Sequence, residues 1–271
     1  MNLIDERDIL KNLYNYVKDP IKTIEYSVLL REPWLINMFE NIFDALPSIA
    51  NLTIPALIGE IFTEEEREYS RTYDAILKAI ANGKQISTEI TSYLYSLRAI
   101  PAQDPSLVHP FLKILQSVGL IEKIKIYDKN KFYYRHISPL NNYYYYLDAK
   151  YAISERDSQQ IQAKKVFELK FPQYVEQFMM NLLSKILGSW PEKIIEKDYK
   201  IDIAFVDFKK IKVVVEVKWG QNITEDIIEK IEQKMNNYYC RKILIVLNEE
   251  NLPRIPKNLE VWDAKKILKN L

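Results

Sequence analysis

The chain has 271 residues, 48% hydrophobic and 12% aromatic, and its 38 Lys and Arg nearly balance 37 Asp and Glu for a formal net charge of +1. Such a length predicts two domains, and the charge balance excludes a uniformly basic nucleic-acid binder, so any such surface must be a local patch. The single cysteine, Cys240, excludes a disulfide framework, and no apolar run reaches the roughly 18 residues that span a bilayer; together they predict a cytoplasmic protein with no membrane partner.

Residues 1–62 read as helices, with apolar spacing in Ile9, Leu10, Leu13 and Val17 and again in Trp34, Leu35, Met38, Phe39 and Ile42. The segment carries no chemical signature and is expected to pack on its neighbour or hold a partner. Asp5, Glu6 and Arg7 put charge where a signal peptide would be apolar.

Residues 63–140 form the second module. Thr63-Glu64-Glu65-Glu66 is a capping-box pattern, and it predicts a helix running to Asn82-Gly83. Ser87 or Thr88 is expected to cap a second helix through Leu97, and Pro105-Ser106 to open a third that Gly119 closes. Two strands follow, Leu120–Tyr127 and Lys131–Ser138, joined at Asp128-Lys129-Asn130. Three short helices and a hairpin predict a winged helix-turn-helix. Lys113, Lys123, Lys125, Lys129, Lys131 and Arg135 are the cations a phosphate-contacting wing would use on double-stranded DNA, or a merely solvated hairpin face. The start of the third helix, Ser106 to His109, lacks the Arg, Asn or Gln of base readout, so sequence specificity is expected to be weak.

Residues 141–165 hold Tyr143, Tyr144, Tyr145, Tyr146 and Tyr151, read as a packed aromatic strap between domains rather than a base-stacking platform, and then a polar linker or surface helix from Ser154 to Lys165. From 166 to 271 the order becomes helix, three strands, helix, strand, strand and helix. This predicts an α/β domain with helices on both faces of a mixed sheet. The amphipathic helix is placed at Pro172–Leu187, strands at Lys200–Val206 and Lys212–Lys218, a helix at Ile223–Met235 and a buried strand at Lys242–Leu247.

Chemistry concentrates between Lys200 and Gly220. In Glu216-Val217-Lys218 the outer side chains share one surface and Val217 points to the core, because side chains alternate along a strand. A hairpin through Asp207 to Lys210 brings Asp202 beside Glu216. Two carboxylates and a lysine suit Mg²⁺ or Mn²⁺, which take oxygen ligands, with Glu176 as a third acid and Glu168 as its runner-up. The alternative is a plain ion pair between Glu216 and Lys218. His109, read as a helix-start residue, and His136, read as a wing residue, form no zinc pair. None of the five glycines builds a phosphate-cradling Gly-x-x-x-x-Gly-Lys-Ser/Thr loop, so no ATP is expected.

Asp202 followed by Glu216-Val217-Lys218, after a helix bearing Glu176, resembles the PD-(D/E)XK nuclease signature and its restriction-endonuclease-like core. More narrowly, Lys200-Ile201-Asp202 and Glu216-Val217-Lys218-Trp219, with Ala79-Ile80-Ala81-Asn82-Gly83 and Val118-Gly119-Leu120-Ile121-Glu122-Lys123, resemble the C-terminal region of archaeal DEXX-box AAA-type ATPases. There a winged helix and a nuclease-like domain follow an ATPase domain, for which this sequence has no counterpart. The resemblance implies a DNA-binding, metal-dependent deoxyribonuclease with catalytic Asp202, Glu216, Lys218 and Glu176 and metal ligands Asp202 and Glu216. The alternatives are a catalytically silent adaptor for protein partners, a homo-oligomer or a separate ATPase, and a DNA-binding regulator.

Overall fold

A computed structural model describes residues 5–30, 70–154, 160–220 and 222–271, with single positions at 32, 35, 45 and 54. The expected helix over Trp34 to Ile42 and the capping box at Thr63 lie outside the described residues. The chain divides into two compact units, and the division is not sequential. One unit comprises Met1–Trp34, Lys125–Asn130 and Phe171–Leu271; the other comprises Leu35–Ile124 and Lys131–Lys170.

The first unit is α/β. Helices α1 (Glu6–Val17) and α2 (Pro20–Leu29) each begin at an aspartate, Asp5 or Asp19, whose carboxylate accepts backbone N–H groups of the first turn. Pro20 at the first helical position loses nothing, since that N–H has no intrahelical partner. The C-terminal part of α7 (Gln160–Leu187) belongs here, followed by β3 (Pro191–Ile195), β4 (Lys200–Asp207), β5 (Lys210–Lys218), α8 (Glu225–Asn236), β6 (Arg241–Val246), β7 (Glu260–Trp262) and α9 (Ala264–Lys269). Strands run in the order β3-β4-β5-β6-β7, antiparallel across the first two junctions and parallel across the last two. Lys125 and Ile126, the end of β1 (Ile121–Ile126), add in parallel to β3. α9 packs against α2, so the N-terminal helices are part of this unit.

β5 and β6 are buried on both faces, which is why they read as near-continuous runs, Val213-Val214-Val215 and Ile243-Leu244-Ile245-Val246. α8 turns Ile228, Ile231 and Met235 toward Val214, Leu244, Ala204 and Val246. The β4–β5 loop is Phe208-Lys209, both at positive φ, the backbone a two-residue hairpin needs to match strand twist. Cys240 is free and half-buried against this core, a packing role.

One helical expectation shifts. Instead of starting at Pro172, α7 starts at Gln160 and carries Pro172 in its interior, giving up one backbone hydrogen bond there. Part of the expected linker is therefore helix, and residues 155–159 lie outside the described residues.

The second unit begins, among the described residues, with α3 (Ser70–Ala81), α4 (Ser87–Ser96), a 3₁₀ turn at Pro105–Leu107 and α5 (His109–Ser117). Gly83 at φ 82° closes α3, its amide donating to Ile80 and that of Lys84 to Ala79. Neither Ser87 nor Thr88 caps α4; Glu89 reaches back to the amides of Gln85 (3.0 Å) and Ile86 (3.3 Å). The third helix is split into the 3₁₀ turn, which Asp104 caps, and α5, which starts at His109. β1 then pairs with β2 (Phe132–His136), and the Tyr134 amide donates to the Gln85 carbonyl at 2.7 Å.

The tyrosines lie on α6 (Pro139–Tyr151), where Tyr143, Tyr144 and Tyr145 are core of this unit, Tyr146 is half-buried and Tyr151 is exposed. Tyr143 meets Phe167 edge-on at 5.3 Å, Tyr144 meets Tyr145 at 5.2 Å, and Tyr145 stacks on His136 at 5.6 Å. Buried Tyr143, Tyr144 and Tyr145 present no face for bases. Lys78 bridges Asp74 and Asp148, each at 2.7 Å.

Candidate metal and active site

The β4–β5 ladder pairs Phe205 with Val213, Ala204 with Val214 and Ile203 with Val215. One step further along, the opposed residues are Asp202 and Glu216, and there side chains replace the ladder. The Asp202 amide donates to Glu216 Oε1 (3.2 Å), and the Val217 amide donates to Asp202 Oδ2 (3.0 Å). The two carboxylates thus lock each other at the place where the strands part. Lys218, two residues along β5 and on the Glu216 face, donates to Glu216 Oε2 at 3.0 Å and lies 3.6 Å from Asp202 Oδ2.

The sequence-based expectation that Glu216 and Lys218 share a surface needs correction. Glu216 has no exposed area at all, because α8 covers that face of β5. From α8, Lys234 reaches Glu216 Oε1 at 2.6 Å and also donates to the Lys200 carbonyl at 3.1 Å. Lys193 on β3 is buried and paired with Glu176. Glu176, expected as a third acid, is thus engaged by Lys193. Among the described residues no three His, Cys, Asp or Glu side chains gather around one point. Glu176 still acts on the site through charge, since it helps hold the Lys218 ammonium protonated. Glu168 is exposed and belongs to the second unit.

Two lysines missed in the sequence thus complete the cluster. Asp202, Glu216 and Glu176 face Lys218, Lys234 and Lys193. Burial pushes the Asp202 carboxyl upward, but Lys218, Lys193, the Val217 amide and Lys234 outweigh it and hold the group below its ordinary range. Glu216 goes the other way. Burial, with the Asp202 charge beside it, raises its pKa despite Lys218 and Lys234. For Lys218, burial favours the neutral form, yet Asp202 and Glu216 prevail and raise its pKa. A pair of neighbouring carboxyls whose environments pull their protons apart is a common mark of functional chemistry.

Asp202 and Glu216 supply hard oxygen donors on adjacent strands, the donor type a Mg²⁺ or Mn²⁺ ion accepts with one or two carboxylates. Asp202 Oδ1 makes no hydrogen bond among the described residues, leaving an oxygen open. The donor set fits such an ion.

Lys218 also lines a pocket of about 290 Å³ with Gly220, Asn222, Ile223, Val246, Asn248, Asn251 and Leu252. It opens beyond the C-terminal ends of the parallel strands β5 and β6, where α/β sheets commonly take ligands. Next in sequence, Trp219 is buried and donates through Nε1 to Glu25 of α2 at 3.2 Å. This bond ties the N-terminal helices to the strand end that carries Lys218.

The six cations expected on a DNA-binding wing separate into two groups. Arg135 is buried and bound to Glu122 at 2.8 Å, so it faces the interior. Lys125 lies 3.5 Å from Glu192, and Lys129 is bound to the Ile195 carbonyl and lies 3.5 Å from Glu196, which commits the hairpin tip to β3 and the turn after it. Lys113, Lys123 and Lys131 remain exposed, with Lys123 4.7 Å above the Phe132 ring. His136 is likewise interior, its Nε2 3.0 Å from the Leu77 carbonyl. No helix among the described residues is long and apolar enough to cross a membrane.

Comparison with family models, with curated proteins and with solved structures yields no match for this chain.

Proposed function

We propose that the first unit is a PD-(D/E)XK-type, metal-dependent phosphodiesterase domain acting on DNA, and that the second unit is a winged helix-turn-helix that brings DNA to it. The observation that carries this reading is the convergence of Asp202, Glu216 and Lys218 where the β4–β5 ladder ends, beside a pocket that Lys218 lines. Asp202 and Glu216 would hold the ion. When bound, a divalent ion polarises the phosphodiester and lowers the pKa of attacking water. Lys218, kept protonated by its two acid neighbours, donates to a phosphate oxygen or orients the water at the pocket mouth, offsetting charge that builds there. Burial of Glu216 keeps bulk water away and strengthens each of these interactions. Contact with DNA falls to exposed Lys113, Lys123 and Lys131, which fits phosphate binding with little base readout.

A second reading has its own support. Lys218 and Lys234 already neutralise Asp202 and Glu216, so the same cluster can serve as a stabilising ion network in a silent adaptor. Supercoiled plasmid incubated with Mn²⁺ separates the two. The nuclease reading expects nicking that falls about 100-fold or more in Asp202→Ala and Glu216→Ala, the usual scale for losing a group that stabilises developing charge. Nicking that survives unchanged in both variants sinks the site, and its absence from the purified wild type favours the adaptor.

A further inference from the structure

Glu216 is a fully buried acid. Both of its oxygens are engaged, Oε1 by Lys234 (2.6 Å) and the Asp202 amide (3.2 Å), and Oε2 by Lys218 (3.0 Å). The two lysines differ in kind. Lys218 faces both acids at once, Glu216 Oε2 at 3.0 Å and Asp202 Oδ2 at 3.6 Å, whereas Glu216 is the acid that Lys234 holds. Lys234 arrives from the opposite layer on a flexible four-carbon stem, at the rim of the α8 stripe formed by Ile228, Ile231 and Met235. Its side chain keeps a fifth of its surface exposed, so the ammonium has water to return to.

Charge arithmetic then constrains any divalent ion. Asp202 and Glu216 carry two negative charges, and Lys218 and Lys234 carry two positive ones. With both lysines in place the group is already neutral. A divalent ion added to it would create an excess of two positive charges in a site with almost no solvent around Glu216. Release of one ammonium relieves half of that excess, and it frees Glu216 Oε1, the oxygen that Lys234 holds at 2.6 Å. Asp202 Oδ1 is open without any such movement.

We propose that Lys234 is a tethered counter-cation that occupies Oε1 of Glu216 and would compete with a divalent ion for that oxygen. On this account metal binding and Lys234 release are one event. The empty site stays neutral and folded, and the loaded site returns an ammonium to the cleft edge, where a polyanionic substrate would meet it. Lys234 is thus a positioning residue whose effect runs through Glu216. The inference rests on the metal-site reading given above and adds to it a determinant of metal affinity.

Isothermal titration of the full chain with Mn²⁺ alone, without nucleic acid, tests it. The proteins are wild type, Lys234→Met, Lys234→Gln, Lys234→Arg and Asp202→Asn. Lys234→Met keeps most of the stem without the charge, and Lys234→Gln keeps a donor without the charge, so one of them serves if the other folds poorly. The expected result is Mn²⁺ binding about tenfold tighter in Lys234→Met and Lys234→Gln, within the range for coupled residues of one network. Lys234→Arg should stay near wild type, and Asp202→Asn should lose binding. Unchanged or weaker Mn²⁺ affinity in the neutral variants, against a wild-type site that depends on Asp202, overturns the counter-cation role alone. Mn²⁺ binding absent from every protein, or indifferent to Asp202→Asn, overturns the metal site itself and this inference with it.

Discussion

Acid should unfasten the second unit through one residue, His136. The ring is 1% exposed, its Nε2–H donates to the Leu77 carbonyl of α3, and it stacks on Tyr145 of α6, so β2 is joined to two helices through a neutral imidazole. Burial, and secondarily the Lys170 charge, lower its pKa from 6.5 to about 4, with the Leu77 bond opposing them. The folded state therefore resists a proton that the unfolded state accepts. Stability from this group is complete above pH 6.5 and is lost as the pH falls toward 4. A displacement from 6.5 to about 4, at about 1.36 kcal/mol per pH unit, amounts to about 3 kcal/mol. Carboxyl groups titrate in part of the same window, so the test is a difference between wild type and His136→Gln.

Urea unfolding followed by far-UV circular dichroism at pH 7, 6, 5 and 4 should show wild type losing about 3 kcal/mol more than the variant. Only two histidines occur, His109 and His136, so proton NMR can follow both imidazoles directly. All four tryptophans, Trp34, Trp190, Trp219 and Trp262, belong to the first unit, so their fluorescence reports whether that unit unfolds separately. Equal losses in wild type and variant, or an imidazole at position 136 that titrates near 6.5, would refute the reasoning.

Other outcomes are expected. Mn²⁺ at 100 times its dissociation constant should stabilise the first unit by about 2.7 kcal/mol, seen as a rise in the tryptophan-monitored melting temperature that Asp202→Asn abolishes. Alanine at Lys113, Lys123 or Lys131 should each flatten the logarithmic salt dependence of DNA affinity by about 0.9, measured by fluorescence anisotropy. Arg135→Ala should instead leave that slope alone and cost about 2 kcal/mol of stability, because it removes a largely buried, charge-assisted bond to Glu122. Leu244→Ala, in the fully buried centre of β6, should cost about 3 kcal/mol in urea unfolding with its m-value unchanged.

Local pattern was sufficient for much of this molecule. Alternation in Lys200 to Lys218 predicts two strands joined at Asp207 to Lys210, and the structure has β4 and β5 with those residues closing the hairpin. Helical spacing over Ile223–Met235 predicts α8, and the apolar run in Lys242–Leu247 predicts the buried strand β6. Even the juxtaposition of Asp202 and Glu216 follows from hairpin length and a period of two. All of these depend on periodicity within one element or across one tight hairpin, where backbone geometry leaves few choices.

What required the tertiary structure is whatever depends on which side chains of separate elements meet. Lys234 lies 18 residues beyond Glu216, and only the packing of α8 over β5 turns a lysine at the rim of an apolar stripe into a ligand of a buried acid. Glu176 has no visible partner in sequence, and the neighbouring strand β3 supplies one in Lys193. Arg135 and Lys131 are both wing cations in sequence, yet Glu122 on the paired strand draws one inward and leaves the other in water. The grouping of Met1–Trp34 with Phe171–Leu271 has no local signal, since it depends on contacts such as Glu25 with Trp219. Sequence thus determined where the acids of the site lie on their strands. Which cations neutralise them was decided by the packing of distant elements, because an ion pair depends on distance in space and not on separation along the chain.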